Sequence, residues 1–355
     1  MYGDVVSELS ASSLVAALLA APAGVALLAQ LEAAQRGTVV GFEPPADSDP
    51  AAVALAAERA PAMSFGELLS CAVSAAGFLA GPWMPGAPES LSRAYLLGPS
   101  RRPIAEAVVA RFGPELFGRV RLDGQQWWYS SGHEEFLRSR PAFADFGDVY
   151  GNGEFPWNGL WTVTDPPSAV HDDLFAAWEF GPGPASRWRL PVRPGARVWE
   201  IATPLDWVRL VESYPKPAPG PHYGWELPGP NQHVPQIDEL LGVPDQHAAR
   251  VSRTAHLLPD WAAVARDYDG VHLSWGGFLT TEGFVSDLPD GGVTMLRYWS
   301  SERTLWLADA FGDPVPLPQP ALSGIGENHG ADASRDLRRR DRDLAVLRAR
   351  LGRQK

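Results

Sequence analysis

The sequence predicts an α+β protein: a helical N-terminal unit over residues 1–118, a unit of mixed short strands over 119–320, and a linker with a basic C-terminal helix over 321–355. Three observations predict it. Ala/Leu-rich segments fill the first third, and short aromatic and β-branched segments bounded by Gly, Pro, Asp or Ser follow. Gly (35) and Pro (34) make up about a fifth of the 355 residues, which implies turns and short elements rather than a long helical bundle. The strand segments do not alternate with long helices, which argues against a doubly wound parallel sheet.

Helical patterns lie near 10–36, 50–60, 65–80 and 103–112, with Pro103 suited to a first helical turn and Gly113 to a stop. The stretch Leu14–Leu31 reaches membrane-spanning length. It is rich in alanine, is interrupted by Pro22 and Gly24, and follows Asp4 and Glu8 where a signal peptide carries positive charge. It reads as one or two buried helices of a soluble, cytoplasmic protein, with no membrane partner. A Pro/Gly loop occupies 81–88. Strands are expected within RVRLDGQQWWYS, GLWTVT, ARVWEIA, YDGVHLSW, GVTMLRYW and RTLWLADAF, and short helices at 168–180, 204–213 and 259–267. Residues 212–258 are rich in Pro, His and Gly, long enough for a functional loop.

The apolar content of 45% supports a core. The single cysteine, Cys71, excludes an internal disulfide or a thiolate metal cluster, and its Ala-rich surroundings make it a small buried hydrophobe rather than a nucleophile. Net charge is −12, yet residues 335–355 carry nine Arg/Lys against three Asp. The body is therefore strongly acidic, which disfavours a phosphate backbone as its ligand. The tail reads as a solvated helix or a docking element. Only Lys216 and Lys355 are lysines, and this preference for arginine reads as the mark of a GC-rich, bacterial genome.

No phosphate-binding Gly-Lys-Ser/Thr loop, GxGxxG turn, GxSxG elbow or HExxH helix is present. The eight histidines are scattered without helical spacing, so no local pattern suggests a metal site. What stands out is an ordered series. Trp127-Trp128-Tyr129-Ser130-Ser131-Gly132-His133 ends the first strand, and Gly159-Leu160-Trp161-Thr162-Val163-Thr164 leads toward a helix. Val198-Trp199-Glu200-Ile201, Tyr268-Asp269-Gly270-Val271 and Ser301-Glu302-Arg303-Thr304-Leu305-Trp306 follow.

In order and spacing, over about residues 125–310, this series resembles the ADP-ribosyltransferase fold. The resemblance implies an ADP-ribosyltransferase-like α+β domain that takes NAD as substrate, displaces nicotinamide through an oxocarbenium-like state and transfers ADP-ribose to an acceptor. It places the catalytic carboxylate at Glu302, where negative charge would stabilise the sugar cation. Trp161, Thr162 and Thr164 would line the nicotinamide pocket beside Gly159. The first-strand His or Arg by which family members anchor NAD falls at Ser130 or Ser131. Tyr129, Ser131 and His133 are the candidates at that end, with Arg93 or Arg101 as alternatives.

Each residue also has a plainer explanation. Glu302 can pair with Arg297 or Arg303 at the surface; Trp161 and Val163 can face the core by strand alternation; Asp269-Gly270 can be a tight turn. Two other functions therefore stay open. One is a non-catalytic interaction protein whose N-terminal helices and tail dock a partner. The other is a glycan-binding or glycan-processing protein with Trp-lined subsites, which needs two carboxylates facing across a cleft. For a transferase, a protein acceptor fits the acidic body better than nucleic acid.

Overall fold

A computed structural model describes residues 10–36, 47–76, 97–130, 160–164, 185–217, 257–296, 299 and 301–318. Helix α1 (Ala11–Ala20) starts where the Ser10 hydroxyl accepts the Ser13 N–H, and α2 (Pro22–Gln35) starts with Pro22 in its first turn. Helix α3 (Pro50–Arg59) is capped by Asp49. Helix α4 (Phe65–Ala76) opens with a reciprocal box in which Glu67 accepts the Ser64 N–H and Ser64 accepts the Glu67 N–H. Helix α5 (Arg102–Leu116) follows a 3-10 turn at Gly98–Arg101. It runs through Gly113 and Pro114, past the expected stop, because Phe112, Leu116 and Phe117 are buried and packing carries the last turn.

The protein is α+β, as predicted: the N-terminal helices precede a mixed sheet with short helices. Its strands are β1 (Gln125–Ser130), β2 (Leu160–Thr164), β3 (Ala185–Arg189), β4 (Val198–Ile201), β7 (Gly270–Leu273), β10 (Arg303–Trp306) and β11 (Val315–Pro316), in the spatial order β11-β3-β1-β2-β10-β7-β4. Every pairing is antiparallel except β4 with β7. Two ribbons stand apart, β5 (Pro215–Pro217) with β6 (Leu257–Pro259) and β8 (Val285–Asp287) with β9 (Val293–Met295). The short helices α6 (Pro204–Ser213), α7 (Trp261–Asp267) and α8 (Trp275–Thr281) complete the described α-helices.

One face of the sheet joins the helices. Ile201, Val271, Leu273 and Leu305 belong to the same buried cluster as Leu18, Leu28, Leu69 and Phe112 of the N-terminal helices. Helix α8 lies in this layer, and its two glycines allow the approach. A Cβ at Gly276 would stand 2.3 Å from the Phe117 ring, and one at Gly277 would stand 2.1 Å from the Ile201 carbonyl oxygen. The opposite face carries a smaller cluster of Leu160, Leu190, Trp306, Ala310 and Phe311.

The N-terminal unit is also tied by charge. Glu32 and Arg101 have fully buried side chains joined at 2.7 Å, and Glu32 also accepts from Arg36 and from the Asp49 N–H at the start of α3. Among the described residues no single helix is long and apolar enough to cross a membrane; α1 and α2 meet at 91° and pack their leucines inward. The 81–88 loop, the 168–180 helix, most of 212–258 and the C-terminal helix lie outside the described residues.

Candidate functional site

The register of the sheet decides which site candidates meet. Thr304 of β10 lies opposite Thr162 of β2 on one side and His272 of β7 on the other, and His272 lies opposite Glu200 of β4. Because side chains alternate along a strand, Glu302, Thr304 and Trp306 share a face with Thr162, Thr164, His272 and Glu200. Gln125, opposite Thr164 on β1, joins them.

On that face the polar groups form one connected chain. Trp306 Nε1 donates to Thr162 Oγ1 at 2.7 Å, so the threonine must turn its own hydrogen to Gln125 Oε1. That fixes the amide, whose Nε2 donates to Thr164 Oγ1 at 3.1 Å. Thr164 then donates from Oγ1 to Glu302 Oε1 at 2.6 Å and from its backbone N–H to Oε2 at 3.1 Å. His272 Nε2 reaches Oε1 of Glu302 at 3.0 Å, while its Nδ1 reaches Glu200 Oε2 at 2.6 Å. Glu200 Oε1 accepts the Val120 N–H at 3.1 Å.

Carboxylates only accept, so a ring between two of them donates from both nitrogens and is the imidazolium. Burial opposes that charge, yet the charges and hydrogen bonds of Glu200 and Glu302 outweigh it and hold the His272 pKa at about 10. The side chains of His272 and Glu302 are 3% and 4% exposed and that of Glu200 is 25% exposed, so the network runs from the sheet interior to a partly hydrated end. Thr304 sits on the same face, fully buried, and its hydroxyl has no hydrogen-bond partner among the described residues.

The predicted residues fall into three groups. Glu302 and Thr164 are bonded to each other, and Thr162 joins them through Gln125. Trp161 faces the other way, edge-on to Trp299 at 4.8 Å between ring centres, packed on the main core. It does not line the face that holds Glu302. Tyr129 lies on β1 opposite Ser186, while Ser131, His133 and Gly159 lie outside the described residues. Arg101, an alternative anchor, is spent on Glu32. Asp269 holds a turn, accepting the Arg197 N–H at 2.7 Å. Burial pushes the Cys71 thiol up to about 11.

His272 and Glu200 were not legible as partners, because they meet only through the parallel pairing of strands far apart in sequence. A signal did exist: VWEI and GVHL each carry one ionisable residue in a short, otherwise apolar strand, and such residues need partners. Among the described residues no group of His, Cys, Asp and Glu is placed to hold a metal ion. The carboxylates flank opposite edges of one ring, so these groups do not converge on a common point. Compared with known proteins, the chain matches no family model, no curated protein and no solved structure.

Proposed function

We propose that the chain is an NAD-dependent ADP-ribosyltransferase with Glu302 as its catalytic carboxylate. One observation carries this. Of the strands on which the resemblance rests, β2 pairs with β1 on one side and with β10 on the other although β10 is far away in sequence, and the Glu302 carboxylate is held by Thr164 at the end of the GLWTVT strand.

The donor set fits the ribose end of NAD in part. Glu302 offers a carboxylate to a ribose hydroxyl, and Thr164 fixes that carboxylate from two donors. Thr162 serves the network that orients Thr164, and Trp161 is committed to the core. NAD supplies the ADP-ribosyl group and nicotinamide as leaving group. The protein supplies a fixed negative charge of low mobility, against which positive charge at a sugar carbon is stabilised without reorganisation. A protein acceptor suits the acidic body.

A second reading, a non-catalytic interaction module, is favoured by the near-complete burial of Glu302 among its donors. Thermal stabilisation by NAD and nicotinamide release, in wild type and Glu302→Gln, separates the two. A transferase is stabilised by NAD in both forms and loses about a hundredfold or more of its release rate in the variant. Absence of both stabilisation and release in the wild type overturns the transferase reading.

A further inference from the structure

We propose that His272 is the positioning residue of this site: tethered by Glu200, it fixes the orientation of the Glu302 carboxylate. For its catalytic consequence the proposal rests on the transferase reading above; its structural content does not.

Three observations support it. First, the chain of contacts has a direction. The Val120 N–H holds Glu200, Glu200 holds Nδ1 of His272, and Nε2 is left to meet Glu302. A ring fixed at one nitrogen has little freedom to aim the other elsewhere, the same logic by which a carboxylate orients a catalytic or metal-bound histidine. Second, His272 and Thr164 both donate to Oε1 of Glu302, from opposite neighbouring strands, so β7 and β2 clamp the carboxylate between them. Third, stability alone does not explain a buried histidine and a buried glutamate joined to a second carboxylate on the edge strand β4. Apolar side chains of similar volume are commonly as stable there or more so.

The described titratable groups facing the ring are Glu200 from β4 and Glu302 from the start of β10; β2 presents only the hydroxyls of Thr162 and Thr164. Loss of the ring proton leaves a neutral imidazole with a single N–H, and one of the two carboxylates then loses the ring as a donor. Activity should therefore fall on the alkaline side as His272 deprotonates.

Nitrogen-15 spectra of the histidine side chains test the structure without substrate. The wild type is expected to show both ring N–H groups of His272 through pH 8, and Glu200→Gln, which keeps the side-chain shape, is expected to bring its titration down. Steady-state nicotinamide release tests the role. His272→Gln is expected to lower kcat about a hundredfold, with the KM for NAD within about twofold and the alkaline limb of the pH profile abolished. A ring that titrates at the ordinary histidine value in the wild type overturns the proposal. So does His272→Gln with unchanged kcat and pH profile in a protein that turns NAD over. If the wild type releases no nicotinamide, the transferase reading falls by itself, and the two N–H signals and their response to Glu200→Gln decide the proposal.

Discussion

Replacing Arg101 by Met removes a buried guanidinium from a carboxylate that no water reaches, since both side chains of the Glu32–Arg101 pair are 0% exposed. Glu32 does not become wholly isolated. Its Oε1 keeps Arg36 and the Asp49 N–H, each at 2.7 Å, while Oε2 loses its donor at 2.7 Å and keeps Ser48 at 3.4 Å. The cost should therefore lie near the low end for breaking a buried pair, about 3 kcal/mol. Glu32→Gln removes a carboxylate from the Arg101 guanidinium, a group whose charge burial already disfavours, and should cost about 3–5 kcal/mol. The double variant removes both charges and should cost much less than the sum, a coupling of about 2 kcal/mol or more. Urea unfolding at pH 7, followed by tryptophan fluorescence, measures all three against the wild type. Additive costs, with a coupling below about 0.5 kcal/mol, would refute the claim that this pair is a mutually dependent tie between α2, the start of α3 and the turn before α5.

Other expectations concern the sheet and its surroundings. His272 has a folded pKa of about 10 against an ordinary 6.5, so its contribution to stability is complete below about pH 6.5 and lost as pH rises toward 10. Denaturation midpoints should fall through that window in the wild type, and this fall should be missing in His272→Gln. Thr304→Val deletes a buried hydroxyl without a partner among the described residues and should be neutral or stabilising by about 1 kcal/mol. Thr162→Val strands Trp306 Nε1 and the Gln125 carbonyl and should cost about 2–3 kcal/mol; equal effects in urea melts would contradict the network. Gly277→Ala brings a Cβ within 2.1 Å of a backbone oxygen and should cost about 3 kcal/mol, read from the same melts. Cys71, raised from 9.0 to about 11, should alkylate about a hundredfold more slowly than an unperturbed thiol at pH 8, by mass spectrometry, and regain full reactivity in urea.

Local chemistry made part of this fold legible. The Ala/Leu-rich patterns near 10–36, 50–60 and 65–80 became α1 to α4, and the segments at 204–213 and 259–267 became α6 and α7. The aromatic and β-branched segments became β1, β2, β4, β7, β9 and β10. Helix α8 was not legible, because WGGFLTT pairs two glycines with two β-branched threonines, all poor helix formers. Its Ser274 cap and its seat against Phe117 and Ile201 override that preference. Strand β3, ASRWR, hides behind a Gly-Pro run that reads as a loop. For the site, Glu302 and Thr164 stood out through their motifs. Their partners did not, since Gln125, His272 and Glu200 acquire their roles only from strand register. Trp161 shows the limit of a motif reading: alternation alone sends it to the face opposite Thr162 and Thr164.

The glycine pair of α8 has a consequence for how the chain can be handled. Phe117, just past the end of α5, rests against Gly276, and the same buried cluster continues from Leu18 through Phe112 to Val271 and Leu305. A fragment starting at residue 119 would therefore bare the inner surface of its own sheet to water, and a fragment ending there would lose the floor under α5. The two halves are best produced, crystallised and assayed as one polypeptide, and a graft of the sheet into another protein must carry the N-terminal helices with it.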